Sequence, residues 1–304
     1  AFDQRLKRRV ALKFIPLSRQ KEQRRQFIAE ARALAAVSHR LIVQIFDVVE
    51  LRKHIVLVME YVPGTDLADL VAVEQLDLSS VLQVGMDLSA ALAAVHELGI
   101  VHGDVKLENV LLDLSARARL ADFGIAANNA ENPLINGEPV TGSLASLSPE
   151  QLGGAVADSR SDLYALGTLI YSLAARQHPF GDRSDRQAFL ARLSEGGPPR
   201  LSTLIAGVPA RLDSLLAKLM AAEPDKRPVS TIWVRQELAY IRRELPIGRV
   251  DSLVQQVVNA VSPEDAAATV NELPSGVSGS ARSHLLSDLQ CRPWNHSGEQ
   301  RWRR

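Results

Sequence analysis

The 304-residue chain is predicted to be an α+β protein, with a small and mostly β N-terminal part followed by a larger, mostly helical part. Three observations carry this expectation. β-rich apolar runs crowd the residues before Gly64, helical spacing of apolar residues dominates after it, and the length suffices to bury a large core.

Taken in order, Val10 to Ile15 reads as a short strand closed by Pro16. A polar stretch from Ser18 then carries Phe27, Glu30 and Leu34 on one helix face, which points Glu30 inward. Residues 41–49 and 54–62 read as two strands, built on Leu41-Ile-Val-Gln-Ile45 and Ile55-Val-Leu-Val-Met59, broken by Leu51-Arg-Lys53 and stopped by Pro63-Gly64. Ser79 to Leu98 has apolar residues at 81, 84, 88, 92 and 95, so it is expected to be a buried amphipathic helix capped by Ser79 or Ser80 and ended by Gly99.

Asn109-Val-Leu-Leu112 and Ala118-Arg-Leu-Ala121 are too short for helices, and the turn residues Asp113 to Ser115 between them make a hairpin. Residues 125–150, rich in Asn, Gly, Pro and Ser, form a loop whose length points to function. Helices are expected over Asp162 to Ala175, Pro209 to Ala222 and Ser230 to Leu245. Beyond residue 246 come two shorter candidates, Val250 to Val261 and Pro263 to Leu273, the second capped by Ser262. The composition from Pro274 onward is that of disorder.

Composition narrows the function classes. Lys and Arg balance Asp and Glu at 35 each, which argues against bulk nucleic-acid binding, and Arg301, Arg303 and Arg304 read as a solvated tail. No run of about 18 uninterrupted apolar residues encodes a membrane span. A single cysteine, Cys291, with only His296 nearby, leaves no disulfide and no metal cluster, and a reducing, cytoplasmic setting fits. The chain opens at Ala1 with no signal-like segment, so it is expected to begin inside a longer polypeptide.

Chemistry concentrates in His102-Gly-Asp-Val-Lys-Leu-Glu-Asn109, a loop between helix and hairpin that brings together a carboxylate, an ammonium and a carboxamide at Asp104, Lys106 and Asn109. Phosphoryl transfer requires a group to orient the attacking hydroxyl, a cation for developing negative charge and hard oxygen ligands for magnesium. Asp122-Phe-Gly124 at the end of the hairpin adds a second oxygen ligand, so Asn109 and Asp122 can share one metal site, with Gly124 allowing a sharp turn.

This pattern resembles the catalytic and magnesium loops of the eukaryotic-type protein kinases, in particular their bacterial serine/threonine branch. Further motifs agree with the resemblance. Val10-Ala-Leu-Lys13 resembles the strand whose lysine holds the nucleotide phosphates, and Glu30 the carboxylate that positions it through an ion pair. Met59-Glu-Tyr-Val62 resembles the hinge, with Met59 gating the adenine pocket and the backbones of Glu60 and Val62 binding adenine, and Ala11 and Leu111 are implied as further nucleotide contacts. Ser148-Pro-Glu150 resembles the end of the activation segment, Asp162 the aspartate that braces the catalytic loop, and Arg227 the buried partner of Glu150.

Singly, each motif has a plain structural reading: Lys13 a surface lysine, Asp-Phe-Gly a turn, Asp162 a helix cap. In order from residue 10 to residue 228 they cover about three quarters of the chain.

The resemblance implies a two-lobed protein kinase-like fold, with an incomplete N-lobe and hinge over 1–62, a helical C-lobe over 63–245 and a C-terminal extension over 246–304. It implies ATP with Mg2+, or Mn2+ in its place, as cofactors, and protein substrates as partners. Lys106 implies serine or threonine acceptors, and Ser143, in Gly142-Ser143, a contact to Asp104 and Lys106, with Thr141 a candidate phosphosite.

Four departures stand out. Gly103 replaces the arginine that receives a phosphorylated activation loop, so activity is expected not to depend strongly on phosphorylation within 126–143. Leu107 and Ser146 replace proline and tyrosine. The Gly-rich loop that covers the phosphates would lie before Ala1, which keeps open an alternative, a pseudokinase scaffold that binds nucleotide or a partner without catalysis. Transfer to a small-molecule hydroxyl is a further rival, one that would not require the Glu150 and Arg227 arrangement.

Overall fold

A computed structural model describes residues 1–16, 21–51, 54–124, 147–181, 191–192, 197–245 and 250–261. The expectations for Thr141, Ser143, Ser146, the helix over 263–273, Cys291, His296 and the tail from 274 fall outside these residues.

The N-terminal part is one antiparallel sheet with a helix against it. Strand β1 (Phe2–Asp3) pairs with β2 (Arg8–Pro16), β2 with β4 (His54–Glu60), and β4 with β3 (Ile45–Glu50), so the sheet order is β1-β2-β4-β3. Helix α1 (Lys21–Ala35) buries Phe27, Ala31 and Leu34, spaced by three and four, against Ile45, Ile55 and Leu57. Glu30 flanks this stripe and is half-buried.

The larger part begins at Gly64. Residues Gly64–Asp66 form β5, a strand where the sequence suggested only a stop, and it pairs with β6 (Val110–Asp113), which pairs in turn with β7 (Ala118–Leu120) as the expected hairpin. Helix α2 (Leu67–Val73) follows β5 directly and was not foreseen, because seven residues are too few to display a helical period.

Helix α3 (Leu78–His96) is the axis of the domain, with Val81, Leu82, Val84, Leu88, Ala91, Leu92 and Val95 fully enclosed. It packs on α5 (Ser159–Ala175) and on α7 (Thr231–Glu244), with α4 (Pro149–Leu152) and α6 (Ala210–Leu219) beside them. The cap of α3 corrects the expectation: Asp77, not Ser79 or Ser80, accepts the Ser80 N–H through Oδ1 at 2.6 Å, so the helix starts earlier and Ser80 lies buried within it. Among the described residues α3 alone has the length and composition of a membrane span, but two thirds of it is buried in the domain, as a core helix is.

Helix α8 (Val250–Ala260) fulfils the expectation of a helix there, and it packs against β5 and α2 with Leu253, Val257 and Val261 in the main core.

Two apolar cores result, and Ile100 and Phe123 touch both. The segment just before β3 is bound into the larger part: Leu120 N–H donates to Leu41 O at 2.8 Å, and Val43 N–H to Leu120 O at 2.9 Å. The cleft between the two cores therefore has Asp122-Phe-Gly124 on one wall and the β2–β4 sheet on the other.

Candidate active site

The loop from His102 to Asn109 is held from below by α5. Asp162, in the first turn of that helix and almost wholly buried, accepts the His102 N–H at 2.9 Å on Oδ2 and the Gly103 N–H at 2.8 Å on Oδ1, and His96 Nε2 lies 2.8 Å from Oδ2. The expected brace is thus present, with His96 as an addition. The same grip explains Gly103, whose φ of +76° lies in the left-handed region that glycine adopts without penalty.

His102 is itself buried. Its Nε2 donates to Ala121 O at 3.0 Å, its Nδ1 accepts the Asp104 N–H at 3.2 Å, and its ring lies against Phe123 at 4.5 Å between centroids. Burial lowers its pKa below the ordinary value of 6.5, despite the raising influence of Asp162, Asp104 and Asp122. The neutral ring with its proton on Nε2 satisfies both bonds; a second proton on Nδ1 would break the one to Asp104.

On this platform Asp104, Lys106 and Asn109 converge. Lys106 Nζ donates to Asp104 Oδ2 at 2.6 Å, and Asn109 Nδ2 donates to the same oxygen at 2.9 Å and to the Asp104 carbonyl at 2.8 Å. All three expected catalytic residues form one bonded cluster.

The hairpin brings Asp122 alongside. Asn109 Nδ2 lies 3.5 Å from the Asp122 carbonyl oxygen, and Ala121 N–H donates to Asn109 O at 2.8 Å. The residue with left-handed backbone here is Asp122 itself, at φ +56°, a conformation that costs of order 1 kcal/mol outside glycine. Gly124 serves close approach rather than a sharp turn. Its N–H donates to His102 O at 2.8 Å, and a Cβ there would stand 3.0 Å from that oxygen.

The Lys13–Glu30 pair expected from the sequence does not form. Lys13 Nζ is 3.0 Å from Asp122 Oδ1, while Glu30 Oε1 accepts from Gln26 Nε2 one turn earlier at 3.0 Å. The physical reason is the phase of α1: its buried stripe runs through Phe27, Ala31 and Leu34, so Glu30 lies at the margin and the lysine finds the carboxylate on the opposite wall.

At the expected hinge, Ala11 stands opposite Met59 in the β2–β4 register, and Met59 lines a small cavity of about 30 Å3 with Lys13, Phe27, Asp122 and Phe123. Leu111 lies across from Arg119 in the hairpin, and Val62 follows the end of β4. The Glu60 side chain is held by Arg119, a contact not expected from the sequence, although an arginine in the apolar run Ala118 to Ala121 was a signal that it must have a partner.

Glu150 and Arg227 form the expected pair, with Arg227 Nη1 to Oε1 at 2.6 Å and Nη2 to Oε2 at 2.7 Å, and the guanidinium lies 4.9 Å from the centroid of the Tyr164 ring. Burial of Glu150 raises its pKa, but bonds from Arg227, Ser148 and Ser161 outweigh this and lower it from 4.5 to about 2. Ser148 caps α4 with Gln151 in a reciprocal capping box. On the far side of the catalytic loop, Lys106, Leu107, Glu108, Leu169, Arg176 and His178 border an open cavity of about 390 Å3.

A family model, the protein kinase domain, matches residues 1–238. Among curated relatives, the serine/threonine-protein kinase PknL of Mycobacterium bovis is 35% identical over 249 residues, covering 81% of this chain and 62% of its own length. The serine/threonine-protein kinase pkn2 of Myxococcus xanthus is 36% identical, covering 77% of this chain and 29% of its own length. The serine/threonine-protein kinase PknB of Mycobacterium tuberculosis is 33% identical, covering 81% of this chain and 41% of its own length. The chain thus spans less than two thirds of each of these relatives.

Proposed function

This chain belongs to the protein kinase family, and on that premise we propose that it transfers the γ-phosphoryl group of ATP to serine and threonine hydroxyls of protein substrates in bacterial signalling. The observation that carries the proposal is the bonded cluster of Asp104, Lys106 and Asn109 on a backbone gripped by Asp162.

Oδ2 of Asp104 is taken by Lys106 and Asn109, so Oδ1 is the oxygen that faces an acceptor hydroxyl, orients it and takes its proton as it attacks. Lys106, one hydrogen bond away, shields the charge that develops on the transferring group. The open cavity beside Lys106 gives room for the chain that carries the acceptor.

The residues also suit a magnesium nucleotide. The Asn109 amide nitrogen is committed to Asp104, which leaves its amide oxygen as a hard ligand, and Asp122 supplies a carboxylate. Magnesium is commonly bound by one or two such side chains together with phosphate oxygens, and no cluster of three His, Cys, Asp or Glu suited to hold a metal by itself occurs among the described residues. When bound, Mg2+, or Mn2+ in its place, neutralises the phosphates and orients them. Lys13 holds phosphate oxygens in this reading. To reach them it would leave Asp122, which would free that carboxylate for the cation.

Ala11 and Leu111, the backbones of Glu60 and Val62, and Met59 would hold the adenine. We assign residues 1–62 to the N-lobe with hinge, 63–245 to the C-lobe and 246–304 to an extension, and place the domain in the cytoplasm, where its nucleotide is. The Gly103 substitution supports activity that does not depend strongly on phosphorylation of the activation loop.

Asp104→Ala is the test. Transfer of labelled γ-phosphate, to the protein itself and to a generic protein acceptor, is expected to fall by about 10²- to 10⁴-fold, while nucleotide binding persists. Equal transfer by both proteins would overturn the enzymatic reading in favour of the scaffold.

A further inference from the structure

We infer that Arg119 is a positioning residue for adenine, acting through Glu60 to set the hinge backbone; this rests on the proposed reading that the nucleotide base lies at Glu60 and Val62. Glu60 is the last residue of β4 and stands opposite Val10 in β2. Its register partner Val10 spends both backbone groups on Ala1: Val10 N–H donates to Ala1 O at 2.9 Å, and the Ala1 amino group donates to Val10 O at 2.8 Å. The Glu60 side chain ties this end of the strand to other elements.

Arg119 fixes it from the larger part of the molecule. Nη1 donates to Glu60 Oε1 at 2.7 Å and Nη2 to Oε2 at 2.5 Å, a two-pronged match of guanidinium to carboxylate, and Nη2 also lies 3.3 Å from Ile42 O. Nε is buried without a partner among the described residues, so the two Nη groups carry all of the bonding. Gln44 completes the clamp: its N–H donates to Glu60 Oε2 at 3.3 Å, its carbonyl accepts the Glu60 N–H at 2.8 Å, and its side-chain amide reaches Ala35 O at the end of α1 at 2.9 Å.

Three elements thus meet at one carboxylate, β7, the segment before β3 and β4 itself, and Gln44 ties the end of α1 to them. Arg119 stands directly across the hairpin from Leu111, the residue assigned to the floor of the adenine site. Arg119 thereby links floor and hinge. A base recognised by two backbone groups tolerates little displacement of them, so the rigidity of this clamp translates into nucleotide affinity. The fork geometry matters as well as the charge, which lysine cannot reproduce.

The experiment uses the whole chain with Arg119→Leu and Arg119→Lys. Adenosine, which has no phosphates and reads the hinge without Lys13 or metal, is titrated calorimetrically, and KM for ATP and kcat are measured in parallel. Arg119→Leu is expected to weaken adenosine binding and raise KM for ATP by a common factor of about ten, with kcat at saturating ATP unchanged. Arg119→Lys, which keeps the charge and decides the matter should the leucine variant not fold, is expected to fall in between. Combining Arg119→Leu with Glu60→Gln should weaken binding no further than Arg119→Leu alone, since both act through one contact. Adenosine affinity unchanged in the lysine and leucine variants, or a fall in kcat at constant KM, would overturn the inference. Absence of adenosine and ATP binding by the unaltered chain would instead overturn the underlying nucleotide reading, and this inference with it.

Discussion

Arg227 has no exposed side-chain surface, so its charge is tolerable only because Glu150 meets it with two parallel bonds and the carbonyls of Arg160, Ala221 and Ala222 take its remaining protons. The folded pKa of Glu150, about 2, lies below its ordinary 4.5. For a depressed carboxylate the stabilisation is complete above the unfolded value and is lost as pH falls through the folded one. Urea unfolding of Glu150→Gln is therefore expected to show a loss of about 3–5 kcal/mol at neutral pH and a flatter acid limb than the parent between pH 4.5 and 2. Parallel acid limbs would contradict this. At Gly124 the argument is steric: a methyl group 3.0 Å from the His102 carbonyl must push the catalytic loop away. Gly124→Ala is expected to cost about 1–3 kcal/mol and to lower turnover, and unchanged turnover would show that the loop gives way freely. Glu150, Arg227 and Asp104 were legible as residues because their motifs have fixed order. The Lys13 partner was not, since the choice between Glu30 and Asp122 depends on the phase of α1 and on which wall of the cleft is nearer.

Among the elements, α5 shows how a helix serves a loop it does not adjoin in sequence. Asp158 caps it through bonds to the N–H groups of Arg160 and Ser161, leaving Asp162 in the first turn free to face the catalytic loop. Removing that carboxylate strands the buried backbone donor of His102, at about 1–3 kcal/mol, and the partly buried donor of Gly103. Asp162→Ala is expected to speed hydrogen exchange at these two amides by roughly tenfold or more and to lower kcat, and unaltered protection there would refute the brace. The long helices α3, α5 and α7 were readable from apolar spacing. Their caps were less so, because Asp77, Ser79 and Ser80 are all competent capping residues and only the position of the first helical turn selects among them. Strand β5 escaped reading because three residues have no period and Gly64 signals a stop as readily as a start.

Across the whole molecule, Ile100 and Phe123 join the two cores, Leu41 and Val43 fasten to Leu120, and Arg119 clasps Glu60. Helix α8, the last among the described residues, contributes too, since Leu253 and Val257 are buried in the main core. A chain ended at Leu245 is expected to lose roughly 3–6 kcal/mol, seen as a lower midpoint of thermal unfolding; an unchanged midpoint would show α8 to be dispensable. The sequence by itself pointed to the α+β class, the long helices, the 110–120 hairpin and Asp104, Lys106, Asn109 and Asp122 as candidates, because period and motif are local properties of a chain. Only the tertiary structure decided that Lys13 rests on Asp122, that Gly124 serves contact rather than a turn, and that Glu60 is clasped by Arg119 from 59 residues away in the chain. Those outcomes depend on distances between separately folded elements, which the packing of the two cores sets and no local pattern encodes.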